Sequence, residues 1–431
     1  MFRWFAGLSD GYEVKMKKRI VRDLSLAAEG KRKIAWVRKN MPVLRGIEDE
    51  YRKSRPFAGL NICVSVHLEA KTAYLALVLA AGGANVSVTG SNALSTKDDV
   101  VAALAALDLH VFAWHNATPE EFREHQLAAL DIEPNIVIDD GGDLVHRLHE
   151  DRPDLLPGVL GACEETTAGI LRNRARQESG LLKFPVVAVN DAQMKHLFDN
   201  RYGTGQSTWD AIMRTTNLTV TGKTVAIAGY GWCGRGIAER AAGLGAHVIV
   251  SEIDEIKAIE AVMDGYRVMP MVEAAKTADY IVTTTGVRDV LSKPEFSVMK
   301  DGVILANAGH FYDEIDVPAL KKMAQESAEV RHNLTGYAVS DGRWINVVVD
   351  GKIVNISAGD GHPAEIMDTS FAVQALSARW VAQNHAGLAA EVIAVPREVD
   401  YDVARRKLRA MGVRLDVLTN AQKEYLRELE R

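Results

Sequence analysis

From Asn61 onward, short apolar runs alternate with longer segments of helical spacing. The order is NICVSVHL, a helix through LALVLAA, ANVSVTG, a helix through VVAALAAL, HVFAWHN, a helix near Glu120 to Leu130, NIVIDDGGD, GVLGACEE and FPVVAVND. Strands that alternate with helices predict a mostly parallel sheet covered on both faces. After a helical stretch from Ala192 to Thr216 the alternation restarts at VAIAGYGWCGRG and continues through DYIVTTTG, VILANAGH and INVVVDGKIVNISAGDGHP. MDTSFAVQALSARWVAQ then reads as a long amphipathic helix and EYLRELER as a charged one. Ahead of the first run, residues 1–56 read as a basic helical lead-in, with Ile34, Trp36, Val37, Met41 and Leu44 spaced for one buried face. The expected fold is α/β, with two doubly wound Rossmann-like units and a C-terminal helical segment. The expected units are a substrate-binding domain over 57–200 completed by 361–405, a dinucleotide-binding domain over 201–360, and a helical tail over 406–431.

In such sheets ligands bind beyond the carboxyl ends of the strands. Polar residues follow the apolar runs at His67, Asn92, Asp139–Asp140, Glu164–Glu165 and Asn190–Asp191. In the second unit the run Val225–Ala228 meets Gly229-Tyr230-Gly231-Trp232-Cys233-Gly234 and then a helical segment, the dinucleotide-binding order. Gly229 lets the turn close, Gly231 lets backbone approach a pyrophosphate, Gly234 lets the helix pack tightly, and the helix N-terminus supplies positive potential. Glu252, about 20 residues beyond the turn, is placed to accept both hydroxyls of an adenosine ribose. It favours NAD over NADP, because a 2′-phosphate would meet its negative charge.

Composition removes several function classes. The chain has 431 residues, 47% hydrophobic and 25% charged, as in globular proteins. A net charge of -6 supplies no broad attraction for nucleic acid or an anionic membrane. Three widely spaced cysteines, Cys63, Cys163 and Cys233, fit neither a disulfide framework nor a metal site. The opening MFRWFAGLSDGYEVKMKKR is too short in apolar length for a signal peptide, so a cytoplasmic location is expected.

The words SVHLEAKTA, SNALSTKDD, IDDGGD, EETTAG, VNDAQMKHLFDNRYG, AGYGWCGRG, SEID, TTTG, NAGHFYDEID and NISAGDGHP together resemble the S-adenosyl-L-homocysteine hydrolase family, from about Asp23 to Leu418. Members of that family use tightly held NAD to oxidise the 3′-hydroxyl of a nucleoside thioether, so that C4′ becomes acidic. Elimination, water addition and re-reduction then follow without net redox change. Lys195 and Asp199 stand four apart on a predicted helix and so face the same way. The resemblance places that pair at the 3′-hydroxyl, with Lys195 neutralised enough to take its proton. It makes Asp140 the C4′ base or its partner and His67 the acid at sulfur, and it adds His310 to the catalytic set. Glu69, Lys71, Thr72, Glu165, Thr166 and His362 match substrate-binding positions, with Glu165 and Thr166 at the 2′-hydroxyl. Thr166, Thr167 and Asn200 line the nicotinamide side. Trp232, Cys233, Arg235, Gly236, Thr284, Thr285, Ala308, Gly309 and Asn355 join Gly229, Gly231, Gly234 and Glu252 as matched cofactor positions. No metal is implied.

The sequence departs from the family pattern in several places. Thr204 stands where many members have a cysteine, Ala168 where the third threonine of EETTTG falls, and Lys257 where an asparagine lies near the ribose. The lysine- and tyrosine-containing tail that reaches a neighbouring subunit's cofactor site in many members has no counterpart. Glu69 and Lys71 replace threonine and glutamate beside the base, a pattern similar to the shorter archaeal and thermophile-type branch. S-adenosyl-L-homocysteine is the expected substrate. S-inosyl-L-homocysteine is the alternative, because Lys71 can only donate and suits the hypoxanthine carbonyl, while Glu69 can accept from N1–H. Against this, Lys71 can point to solvent, and two positions on a helix do not share a face. A catalytically silent NAD-binding regulator conflicts with the intact Lys195, Asp199, Asp140 and His67. A plain hydroxy-acid dehydrogenase would not need the EETT and DNRYG words. The resemblance also implies a homotetramer, and the helices after Ser370 look apolar enough to seal an interface.

Overall fold

The computed structural model describes residues 19–310 and 312–429. The first part of the lead-in, read above for a targeting signal, lies outside the described residues. Among the described residues two eight-stranded sheets form. The first comprises β1 (Arg19–Ile20), β2 (Asn61–Val66), β3 (Asn85–Gly90), β4 (His110–Phe112), β5 (Ile136–Asp139), β6 (Gly161–Glu164) and β7 (Val186–Ala188). The second comprises β8 (Thr224–Ala228), β9 (His247–Ser251), β10 (Arg267–Val268), β11 (Tyr280–Thr283), β12 (Val303–Asn307), β13 (Ala324–Arg331), β14 (Leu334–Val339) and β15 (Trp344–Val348). A last strand, β16 (Val392–Ala394), returns to the first sheet beside β7.

The first sheet has the order β1-β4-β3-β2-β5-β6-β7-β16 and the second β10-β9-β8-β11-β12-β15-β14-β13. Every pairing in the first sheet is parallel, and the second is parallel from β10 to β15. Strand order reverses between β2 and β5 in one sheet and between β8 and β11 in the other. Each reversal opens a crevice at the carboxyl ends. His67 and Asp140 line the first crevice, and Gly229 and Thr284 the second. The antiparallel pair β13–β14 was not expected. AQESAEVR is an exposed edge strand with no apolar run to announce it.

Three other expectations change. Ile34, Val37, Met41 and Leu44 are buried, but Trp36 is 66% exposed, because it stands two positions from Ile34 and so on another face. The stretch from Ala192 to Thr216 is broken into a helix Gln193–His196, a π-helical segment Asp199–Gly203 and a helix Thr204–Thr216. Such π-turns recur at functional sites. The helix Ala364–Asn384 is buried on nearly every side, its Phe371, Val373 and Leu376 packing in one core with Val64, Ile136 and Ile138. The apolar residues of this helix after Ser370 therefore serve this chain's own core, whereas Tyr401, Met411, Leu415, Val417, Tyr425 and Leu429 beyond it are exposed.

Candidate active site

At the carboxyl end of β2, His67 Nδ1 lies 2.7 Å from Ser95 Oγ and Nε2 lies 3.6 Å from Asp140 Oδ2. Ser91 Oγ donates to that same Oδ2 at 2.8 Å, while Asp140 Oδ1 is buried without a partner. Loss of water around the ring pushes the His67 pKa down, against the pull of Asp140, so the imidazole is neutral near pH 7. Beneath this pair, Asp139 and Glu164 are neighbours across β5 and β6. Glu164 Oε1 accepts from Gly141 N, Thr166 N and Thr166 Oγ1, each at 2.9 Å, and Oε2 is buried without a partner. Burial, reinforced by Asp139, pushes the Glu164 carboxyl well up, and burial brings Asp139 up to about 7. Gly141 has φ +102°, and a Cβ there would lie 2.9 Å from His310 Nε2. A histidine of the second unit thus closes over the Asp140 turn, and only glycine leaves it room.

Beyond β6 and β7 lies a charged group. Lys195 Nζ donates to Asn200 Oδ1 at 2.8 Å and Asn190 Oδ1 at 3.3 Å, and stands 3.3 Å from Asp199 Oδ2 and 3.7 Å from Glu165 Oε1. Asp199 also pairs with His362 Nδ1 and accepts from Ser370 Oγ at 2.9 Å. Glu165 Oε2 accepts from Gln374 at 2.5 Å. Burial opposes the Lys195 charge, but Asp199 and Glu165 outweigh it and push the pKa up to about 12. Burial takes Glu165 up to about 8, partly offset by Lys195. Asp199 is held far below the carboxylate range, the effect of burial being overcome by Lys195 and His362. The expected neutral lysine is therefore corrected: the Asp199 carboxylate, the Glu165 carboxyl and two amide oxygens hold an ammonium.

Glu69 and Lys71 also differ from expectation. Glu69 is the N-cap of the helix Ala70–Ala81, so its extended backbone turns the side chain toward Lys71, whose backbone N donates to Oε2 at 3.1 Å. Lys71 Nζ lies 2.8 Å from the same carboxylate and donates to Asp360 O at 3.0 Å. Both side chains are buried, not solvated, and they meet. Thr72 and Thr166 are hydrogen-bonded within the chain: Thr72 Oγ1 donates to His67 O at 2.6 Å, and Thr166 Oγ1 accepts from Gly169 N at 3.0 Å while donating to Glu164. Thr167 Oγ1 accepts from Asn190 at 2.9 Å.

In the second crevice Gly229 has φ +93°, a Cβ at Gly234 would lie 1.9 Å from Gly229 O, and one at Gly231 would meet nothing within 4 Å. The helix Trp232–Gly243 starts at Gly231 with no side-chain cap. At the end of β9, Glu252 Oε2 accepts from Tyr230 N at 2.6 Å and Oε1 from Ile253 N and Asp254 N at 2.7 and 3.1 Å. Lys257 pairs with Asp254 at 3.4 Å. Arg235 pairs with Glu260 and lies over the Trp232 ring at 5.0 Å. Thr285 Oγ1 donates to Glu314, and the Gly309 N–H donates to Asn307. Ala308 N pairs with Thr283 O, beside β12. Gly236 packs against Arg201 O, where a Cβ would lie 1.8 Å away. Asn355 Nδ2 is 3.2 Å from His362 Nε2, and its Oδ1 is buried without a partner. Thr204 Oγ1 bridges Cys233 and His362 at 3.6 and 3.3 Å. His362 thus touches both units.

A family model described as S-adenosyl-L-homocysteine hydrolase matches residues 18–156, and one described as S-adenosyl-L-homocysteine hydrolase, NAD binding domain, matches residues 200–361. The chain belongs to the S-adenosyl-L-homocysteine hydrolase family. It is 55% identical to an adenosylhomocysteinase of Pyrococcus abyssi over 94% of this chain and 96% of that one. It is 54% identical to an S-inosyl-L-homocysteine hydrolase of Methanosarcina mazei over 93% and 97%, and 52% identical to one of Methanothermobacter thermautotrophicus over 95% and 98%. The cofactor of the family's second domain is NAD. The residues present fit it: the open backbone at Gly231, the uncapped helix start, the fixed Glu252 carboxylate and the orphaned Asn355 oxygen all await polar partners, and Lys257 is balanced by Asp254.

Residue reading of the motifs did not single out Ser91, Ser95, Ser370, Gln374 or Glu314. Ser91 and Ser95 sit inside SNALSTKDD and could have been read as partners of the strand-end histidine and aspartate. Ser370 and Gln374 stand four apart on one helix face, but their partners lie more than 170 positions away in sequence.

Proposed function

We propose that this chain reversibly hydrolyses S-adenosyl-L-homocysteine to adenosine and L-homocysteine. The observation that carries this reading is the pairing, on one sheet edge, of a caged ammonium beside a high-pKa carboxyl with a neutral imidazole beside an unsatisfied carboxylate. NAD, held by the second unit, would supply the hydride acceptor for C3′ and, once reduced, the hydride donor. Lys195 and Asp199 hold the 3′-oxygen, and Lys195 takes its proton only after the ammonium has passed one of its own to water. Glu165 holds the 2′-hydroxyl. Asp140 removes the C4′ proton with Oδ1 and passes it to the neutral imidazole of His67, 3.6 Å from the other oxygen, and the imidazolium so formed hands it to the departing sulfur. One proton thus leaves carbon as one arrives at sulfur, and the same pair serves in reverse when water adds. His310 closes over Asp140, and His362 links Asp199 to the second unit. Thr167, Asn200, Thr284, Thr285, Ala308, Gly309 and Asn355 line the cofactor, with a substrate domain over 57–200 and 361–405 and an NAD domain over 201–360. The protein works in the cytoplasm as a homotetramer. Denatured protein should release stoichiometric NAD, and the native protein should release homocysteine without net NADH. Net NADH in step with turnover would make it a dehydrogenase instead.

A second reading, S-inosyl-L-homocysteine as the preferred substrate, is favoured by the buried Glu69–Lys71 pair. Lys71 gives one donor to Glu69 and one to Asp360 O, which leaves a third for a C6 carbonyl, and Glu69 can accept from N1–H. Adenine offers the opposite pattern at both atoms. Comparing kcat/KM for the two thioethers on one preparation decides it, since a site built for one base rejects the other by up to roughly 10⁴. A ratio near one would remove Glu69 and Lys71 from base recognition.

A further inference from the structure

Lys195 rides on a helix of four residues, Gln193–His196, whose N-cap position is Ala192. Alanine has no side chain to accept the free N–H groups at a helix start, so the segment VNDAQMKHL cannot cap itself there. The missing acceptors come from the far end of the chain. Asp400, in the first turn of the helix Arg397–Ala410, accepts from Gln193 N through Oδ2 and from Met194 N through Oδ1, both at 2.8 Å. Asp400 is 9% exposed, and its helix packs on the helix Ala364–Asn384 through the Lys407–Asp368 pair at 3.1 Å. That long helix also supplies Ser370 to Asp199 and Gln374 to Glu165. The C-terminal helices therefore grip the first two residues of the lysine's helix at one point and the lysine's two carboxyl partners at two others.

We propose that Asp400 is a positioning residue for Lys195: a cap supplied from 205 residues downstream that fixes where the ammonium sits between Asp199 and Glu165. The proposal rests on Lys195 acting at the 3′-hydroxyl, and Lys195→Ala tests that reading separately. If Lys195→Ala reduces bound NAD on substrate addition at the wild-type rate, that reading fails whatever Asp400 does. For Asp400 itself, three variants are compared by the rate at which S-adenosyl-L-homocysteine turns bound NAD into NADH, by KM, and by the pH dependence of that rate. Asp400→Ala should slow reduction by about tenfold or more, since misplacing a reacting group by an ångström costs factors of that order. KM should stay within about threefold, and the alkaline pKa of the step should fall as Lys195 moves off its carboxylates. Asp400→Asn keeps one acceptor oxygen and should recover most of the rate. Asp402→Ala removes a pair with Arg406 on the same helix without touching Gln193, and should match wild type. Amide hydrogen exchange should quicken at both Gln193 and Met194 in Asp400→Ala, at one of the two in Asp400→Asn, which keeps a single acceptor, and at neither in Asp402→Ala. Equal slowing in Asp400→Ala and Asp402→Ala would overturn the proposal, as would an Asp400→Ala rate and pH profile equal to wild type. Should Asp400→Ala be insoluble, an Asp400→Asn protein with unchanged exchange at both amides overturns it equally.

Discussion

Lys195 and His67 stand on the same sheet edge, yet their surroundings are opposite. Around Lys195 the ammonium is answered on several sides: Asp199, Glu165, Asn190 and Asn200 crowd it, and Asp199 in turn has His362 and Ser370, with Glu165 Oε1, 3.7 Å off, the one oxygen of the two carboxyls without a hydrogen bond. Around His67 less is answered: the imidazole is uncharged and has Ser95 on one nitrogen, its carboxyl neighbour is 3.6 Å away, and Asp140 Oδ1 has no hydrogen-bond partner among the described residues. A buried oxygen left unpaired costs about 1–3 kcal/mol, which a substrate atom arriving there would recover. The first group is stable as it stands and must be disturbed before it reacts, whereas the second is poised to take a proton. Two proton transfers that must occur in order are thus held apart by one end being saturated and the other hungry.

The largest expected effect breaks the first end. Lys195→Ala, and Lys195→Arg with its charge kept but no proton to give up near neutrality, should each slow reduction of bound NAD by about 10³–10⁴ with NAD still retained. A near-normal Lys195→Arg would mean that charge alone suffices. Asp140→Asn should cut turnover by about 10²–10³ while substrate still converts bound NAD to NADH, which then accumulates. Loss of that absorbance change in Asp140→Asn would show that the two ends are not separable. Lys71→Met should bring the kcat/KM ratio for the two thioethers closer to one, by about 10-fold to 100-fold, through loss of one charged donor. The smallest effect sharpens the comparison from below. Glu164→Gln should keep activity within a few-fold, because burial, reinforced by Asp139, already favours the uncharged form there, whereas Glu164→Leu should lose most of it with the Gly141 and Thr166 bonds. The native protein binds more protons at this site than the unfolded chain, so Glu164 makes stability fall as pH rises above about 4.5 toward its raised pKa. Glu164→Gln should flatten that decline in melting temperature, and an unchanged slope would show Glu164 ionised.

Much of this arrangement was legible in the chain. Apolar runs of four to six residues bounded by glycines and polar pairs predicted parallel strands, and both switch points carry residues read at strand ends, His67 and Asp140 in one and Gly229 in the other. What escaped has physical reasons. The edge strand Ala324–Arg331 faces water on both sides and so lacks any hydrophobic period. The segment from Ala192 to Thr216 has helical composition throughout, and nothing local says that it opens into a π-turn at Asp199. Lys195 and Asp199 were read correctly as neighbours, but the charge on Lys195 depends on Glu165, Asn190 and Asn200, which approach it only in the folded chain. Glu69 and Lys71 met because Glu69 is a cap rather than a helical position, a difference of one residue in a boundary.

The return of the chain to its first sheet has a consequence for how the protein is made. Synthesis passes through all of β8 to β15 before the ribosome reaches the helix Ala364–Asn384 and the closing strand Val392–Ala394. Domains fold as units while the chain emerges, so the contiguous dinucleotide unit can be complete, and able to take up its cofactor, while the first sheet still lacks an edge and part of its core. During that interval Asp199 and Glu165 have neither Ser370 nor Gln374, and Gln193 has no Asp400. The dinucleotide unit is thus complete in sequence before the residues that hold Lys195 and its two carboxyl partners in place have been made.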